Sequence, residues 1–198
     1  MPEERFQLAD HQLYAIEMME ANPQLAVWYD AGTGKTATAL MWRIRALRRG
    51  DITRALVVCP ASLVGNWRSA VDKMIMFAGV TPEDVEMLHG ALTIVSFQKT
   101  YRIDKRVIRH RNGLTSTKRE RHLREEVDRL WGAIIIDESH CIGAHNSTQT
   151  KAALALARLT ENRYILSGTP VHGGGGDSDY KKLFGQINFL NPDRWPTW

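Results

Sequence analysis

Cysteine is scarce in this 198-residue chain: only Cys59 and Cys141 occur, and neither belongs to a Cys-x-x-Cys pair. That excludes a disulfide-held scaffold and a cysteine zinc site, and it fits a reducing compartment. Both cysteines are read as packing residues. Long apolar runs are missing too. No stretch nears the ~20 apolar residues of a membrane span, and the charged start Met-Pro-Glu-Glu-Arg leads into no signal-peptide core. The expectation is a soluble protein with no membrane partner, cytoplasmic, or nuclear if its source has a nucleus. No internal repeat is visible, which excludes a solenoid.

What is present is ordinary globular composition, 43% apolar and 24% charged, in a length that suits one well-buried domain. The formal charge of +4 and pI near 9.2 lean toward an anionic partner. That lean is concentrated: ten of the 26 Lys and Arg residues lie between Arg102 and Arg129, against five acids. The stretch is either a DNA-contacting insertion or a solvated charged helix.

Apolar periodicity alternates along the chain. Helices are expected at Gln12–Ala21, Lys35–Arg48, Ser62–Phe77, Arg119–Leu130, Thr148–Leu159 and Tyr180–Phe189. Strands are expected at Leu25–Tyr29, Ala55–Cys59, Val85–Leu88, Leu92–Val95, Ala133–Ile136 and Tyr164–Leu166. His110–Lys118 and the glycine-rich His172–Asp179 are expected to be mobile loops. Wholly apolar strands separated by helices imply an α/β fold, a mostly parallel sheet covered on both faces. In such sheets ligands bind beyond the carboxyl ends of the strands, where each polar motif of this chain falls.

Asp30-Ala-Gly-Thr-Gly-Lys-Thr36 lies between a strand and a helix. Gly32 and Gly34 let successive N–H groups converge on a phosphate, and the helix start adds its positive end. Ala31 to Thr36 (Ala31, Gly32, Thr33, Gly34, Lys35, Thr36) therefore form a candidate ATP phosphate loop. Lys35 would face the β- and γ-phosphates, and the Thr36 hydroxyl would ligate Mg²⁺. A strict GxxxxGK[ST] pattern has glycine where this chain has Tyr29.

Ala133-Ile-Ile-Ile-Asp-Glu-Ser-His140 is an apolar strand ending in two carboxylates. Asp137 is placed to hold Mg²⁺, and Glu138 to act as general base toward an attacking water.

Asp137-Glu-Ser-His140 resembles the DExH motif of superfamily 2 helicases, and the chain resembles the Swi/Snf-like branch of that superfamily. Leu56-Val-Val-Cys-Pro-Ala-Ser-Leu-Val-Gly-Asn-Trp67 is similar to that branch's motif Ia, Thr93–Phe97 to motif Ib, Leu166-Ser-Gly-Thr-Pro170 to motif III, and Phe189–Pro192 to the close of the first motor lobe. The resemblance spans nearly the whole chain. It implies a three-layer RecA-like P-loop NTPase domain over residues 1–198.

The same resemblance implies site roles: Gln12 on the adenine edge, His140, Ser167, Gly168 and Thr169 linking the nucleotide to the nucleic-acid path, and Ser62 and Ser96 against backbone phosphates. Trp67 is read as a core residue rather than a base-stacking one. The implied partner is double-stranded DNA, gripped through its backbone without regard to sequence. A departure lies in Val171–Gly176, where the family carries an Asn soon after Thr-Pro. The family's second RecA-like lobe, with the arginines that complete the ATP site, has no counterpart in these residues. The expectation is a lobe that binds Mg-ATP and hydrolyses little by itself. A strand-separating helicase, a restriction-type motor subunit, and a non-enzymatic nucleotide-binding scaffold are the competing readings.

Overall fold

The structure is a computed structural model that describes residues 5–110, 114–143, 146–171 and 177–194. Five strands make one parallel sheet: β1 (Gln24–Trp28), β2 (Ala55–Cys59), β3 (Leu92–Ser96), β6 (Ala133–Asp137) and β7 (Asn162–Ser167), in the order β1-β7-β6-β2-β3. Beside it stand two antiparallel strands, β4 (Tyr101–Arg109) and β5 (Thr115–Leu123). The helices are α1 (Asp10–Ala21), α2 (Lys35–Arg49), α3 (Val64–Lys73), α4 (Pro82–Ala91), α5 (Thr148–Ala157) and α6 (Asp177–Leu190).

Strand alternation sorts the core into two layers. Ala55, Val57 and Cys59 of β2, Ala133 and Ile135 of β6, and Tyr164 and Leu166 of β7 meet Ile16, Leu40, Trp42, Trp67 and Leu88 from α1 to α4. Leu56, Val58, Ile134, Ile136 and Ile165 face the opposite way, onto Leu156 of α5 and Phe189 of α6. All of β2 and β6 is buried. Each buried Val, Leu or Ile side chain stabilises the fold by ~1.5–3 kcal/mol. The two central strands are thus a rigid base for the loops at their carboxyl ends. This is the expected three-layer α/β architecture.

Sequence expectations for three segments are corrected. Val85–Leu88 is not a strand but part of α4. Thr81 caps that helix by accepting from the Asp84 amide, the Asp84 carboxylate returns a bond to the Thr81 amide, and Pro82 sits in the first turn. The Thr-Pro-Glu-Asp start signal outweighs the short apolar run. Arg119–Leu130 is not a helix: its first half is β5, paired in register with β4 from Tyr101↔Leu123 to Arg109↔Thr115. Charge density suggested a helix, but the run Thr115-Ser-Thr-Lys-Arg-Glu-Arg-His-Leu123 has no apolar 3.6-residue stripe and takes its order from cross-strand pairing. Thr115–Lys118 of the expected loop His110–Lys118 are therefore strand, and residues 111–113 lie outside the described residues. Residues 172–176 of the expected glycine-rich loop lie outside the described residues, and 177–179 begin α6. Among the described residues no helix is long and apolar enough to cross a membrane.

Candidate ATP site

The loop between β1 and α2 turns at Gly32 (φ 81°) and Gly34 (φ 79°), both in the left-handed region that costs an L side chain ~1–2 kcal/mol. Gly34 is also the N-cap of α2 and offers no side-chain acceptor to the helix's first amides. Those amides, with the positive end of a 15-residue helix behind them, have the chemistry to receive an anion. Lys35 bends back across the loop, its Nζ donating to the carbonyls of Tyr29 (2.7 Å) and Asp30 (2.9 Å). Thr33 Oγ1 donates to the same Asp30 carbonyl at 2.8 Å. Ala31 is exposed and Thr36 half-buried, at the second position of the helix.

α1 braces this loop from one side. Gln12, buried, donates from Nε2 to Thr33 O at 3.2 Å and accepts on Oε1 from the Ala9 amide at 2.9 Å. His11 Nε2 lies 3.1 Å from the same Thr33 carbonyl, and Tyr29 donates its hydroxyl to His11 O at 3.1 Å. A Cβ on Gly34 would fall on Gln12 Nε2. The glycine is needed twice, for its dihedral and for the approach of this amide. Each end of the Gln12 amide keeps hydrogen-bonding capacity, one N–H and one lone pair.

From β6 comes Asp137, 6% exposed. Trp67 of α3, itself 1% exposed, donates its indole N–H to Asp137 Oδ2 at 2.8 Å, and the Glu138 amide donates to Oδ1 at 2.9 Å. Burial raises the Asp137 pKa above the ordinary aspartate value. The two donors and the Lys35 charge pull the other way, while the Glu138 charge adds to the rise. Burial likewise pushes the Cys59 thiol up to about 12, with help from the Asp137 charge, so it is an inert packing residue as expected. Sequence alone gives no sign that the indole of Trp67 meets a carboxylate seventy positions away.

Glu138 adopts φ 50°, the one positive φ outside glycine among the described residues. This places its carboxylate beside the next turn: Oε2 lies 3.2 Å from His140 Nδ1, which is 3.4 Å from Ser167 Oγ at the end of β7. Ser167 Oγ in turn accepts from the Thr169 amide at 3.1 Å. The acidic motif and the Ser-Gly-Thr motif are thus joined side chain to side chain. A residue that sequence reasoning missed holds them from below. Gln186 of α6, fully buried, accepts from Ser139 Oγ at 2.6 Å and donates to Pro170 O at 2.7 Å. Gly185 permits this, since a Cβ there would fall on the Ile142 carbonyl.

The space around the loop suits a phosphate with its cation. Gly168 faces the phosphate loop so closely that an added Cβ would lie 3.2 Å from the Ala31 amide nitrogen and 3.5 Å from Lys35 Nζ. A glycine here keeps open the space that a side chain would fill. Asp137 retains unused lone pairs beyond its two donors, and a hard oxygen donor set of one carboxylate plus a hydroxyl matches the habit of Mg²⁺. The two remaining sequence-predicted residues differ. Ser62 is exposed in the short turn Ala61–Leu63 after β2, whereas Ser96 is buried at the end of β3.

Residues 27–198 match the family model of the SNF2-related domain. A probable global transactivator from Orgyia pseudotsugata multicapsid polyhedrosis virus is 29% identical over 192 residues, 92% of this chain and 35% of the viral protein. The DNA repair and recombination protein RAD54 of Oryza sativa is 30% identical over 174 residues, 82% of this chain and 16% of its own length. The Sulfolobus solfataricus SWI2/SNF2 ATPase core in complex with double-stranded DNA superposes with a TM-score of 0.67 at 19% identity, over 96% of this chain and 37% of the archaeal one. The chain spans about a third or less of the length of these curated relatives. With a family model matched over most of its length, and a five-stranded RecA-like sheet carrying the motifs at one edge, the chain belongs to the SNF2-related domain family as a Swi/Snf-like superfamily 2 ATPase lobe.

Proposed function

We propose that this chain is the ATP-binding lobe of a DNA-dependent ATPase that moves along double-stranded DNA once joined to a second RecA-like lobe. The observation that carries the reading is the close approach of Gly168 to the Ala31 amide and Lys35, with the Asp137 carboxylate close enough to feel the Lys35 charge.

In this reading the amides of Ala31 to Thr36 and the Lys35 ammonium bind the β- and γ-phosphates of ATP, exchanging the Tyr29 and Asp30 carbonyls for phosphate oxygens. The spare N–H and lone pair of Gln12 read the adenine edge. Thr36 Oγ and Asp137 would hold Mg²⁺, which would supply positive charge to the phosphate oxygens. Trp67 and the Glu138 amide keep Asp137 ionised and oriented. Glu138 takes a proton from the attacking water, the new bond forms to the γ-phosphorus, and the bond from that phosphorus to the ADP oxygen breaks. His140 orients Glu138 and, through Ser167, Gly168 and Thr169, ties its position to the segment leading to the nucleic-acid path. Ser62 is the hydroxyl presented to a backbone phosphate; Ser96 is buried and is not assigned that role.

Transition-state arginines are assigned to the second lobe, where such groups contribute ~10³–10⁵ in rate. This lobe alone is accordingly expected to bind Mg-ATP and turn it over slowly. Double-stranded DNA as partner is supported by the archaeal core of the same fold, which was captured with it. The test is ATP hydrolysis with a second lobe supplied. Stimulation by duplex DNA, lost in Lys35→Ala and Glu138→Gln, supports the motor; nucleotide binding without any DNA-stimulated turnover refutes it.

A further inference from the structure

The β4–β5 ribbon extends the molecule where the motor motifs do not account for it. It leaves the sheet four residues after the carboxyl end of β3, the same edge that carries the phosphate loop and Asp137. Residues opposed across an antiparallel pair share a face, so the register assigns every side chain to one of two faces. One face holds Arg102, Asp104, Arg106, Ile108, Ser116, Lys118, Glu120 and His122. Its acids have basic neighbours: Asp104 lies 3.6 Å from Arg102 and 3.8 Å from the His122 ring, and Glu120 lies 3.1 Å from Lys118. The other face carries Lys105, Arg109, Arg119 and Arg121 with no acid at all. All four are exposed, and none forms an ion pair among the described residues. Arg121, at the base, donates to Thr148 Oγ1 at 3.2 Å and joins the stripe to the start of α5.

Protection of bare strand edges calls for charge of either sign on either face. It gives no reason to gather both acids on one side. The segregation is what a polyanion selects. The ribbon is nine residue pairs long, ~27 Å at the usual strand rise. A two-stranded ribbon also fits the ~12 Å major groove of B-form DNA or lies along its backbone. Beyond Ile103 and Val107 the basic face exposes little that an apolar protein partner could bury.

We infer that the Lys105–Arg109–Arg119–Arg121 face of the ribbon is a second, sequence-independent contact for the phosphate backbone of duplex DNA, outside the motor's own motifs. It rests on the motor-lobe reading for the presence of duplex at this edge. It lengthens the grip on the track and works through counterion release.

The register supplies a matched experiment. Lys105 lies opposite Arg119 and, one step along, Arg106 lies opposite Lys118. The double variants Lys105→Gln/Arg119→Gln and Arg106→Gln/Lys118→Gln remove equal charge from neighbouring positions on opposite faces. Binding of a dye-labelled duplex of arbitrary sequence is followed by anisotropy between roughly 50 and 200 mM salt. Two phosphate contacts at about 0.9 each predict that the first variant lowers the log–log salt slope by about 1.8, while the second leaves it unchanged. Equal loss in both variants, or loss in neither, overturns the ribbon contact alone. A wild-type chain with no salt-dependent duplex binding overturns the motor-lobe reading together with it.

Discussion

Trp67→Phe isolates the contribution of one hydrogen bond to the Asp137 carboxylate. The indole N–H and Asp137 Oδ2 meet at 2.8 Å, with both residues buried. A hydrogen bond to a charged group contributes ~1.5–3 kcal/mol. It favours the ionised form of Asp137, which burial already disfavours. The sign follows directly. Asp137 is protonated at a higher pH than an ordinary aspartate, so Mg²⁺-dependent nucleotide binding, which needs the carboxylate, is lost as pH falls through that raised value. Removing the indole donor raises it further. At 1.36 kcal/mol per pH unit, the acid limb of binding moves up by ~1–2 pH units. The assay is titration of the chain with a fluorescent ATP analogue and Mg²⁺ across pH. Trp42→Phe is the control: Trp42 is as deeply buried, packed edge-on to Tyr164 at 4.6 Å, but gives no bond to Asp137. It should lower the melting temperature without moving the acid limb. If Trp67→Phe leaves the acid limb at its wild-type position, the indole does not hold Asp137 and the reasoning fails.

Gly34→Ala places a methyl on Gln12 Nε2 at φ 79°, so nucleotide binding should disappear and the melting temperature fall by ~2–8 °C in a thermal melt. Gln186→Ala strands the buried Ser139 hydroxyl and the half-buried Pro170 carbonyl, at about 1–3 kcal/mol for a fully buried group. The expected loss is ~5–15 °C in melting temperature, together with weaker coupling of DNA to hydrolysis in the two-lobed enzyme. Arg43 is a fully buried cation whose Nη1 donates to Ile52 O at 2.6 Å while Nε and Nη2 find no partner among the described residues, and burial lowers its pKa to about 10. Arg43→Met should therefore raise the melting temperature by ~2–4 °C, and a fall would mean that the single bond outweighs the stranded donors.

The parts legible in the sequence were those set by local chemistry. Gly32 and Gly34 announce the tight turn between β1 and α2, because its positive φ angles need glycine. The apolar run Ala133–Ile136 announces a central strand ending in Asp137. The illegible parts depend on partners distant along the chain. Gln186 looks like any polar residue of a helix until α6 is laid under the turns at Ser139 and Pro170. The β4–β5 ribbon hides because a strand exposed on both faces leaves no apolar alternation to read, and its many charges imitate a solvated helix. Only the pairing register reveals that its acids share a face.

The central claim is that Gly32–Thr36 and Asp137 form a nucleotide site in this chain by itself. Calorimetric titration of the 198-residue chain with ATP in the presence of Mg²⁺ tests it most directly. Saturable binding that weakens at least tenfold on removal of Mg²⁺ and is abolished in Lys35→Ala is predicted, roughly the 1.4 kcal/mol or more expected of a charge-assisted contact. Binding indifferent to Lys35, or none at all in a chain whose melting curve shows it folded, would contradict the account.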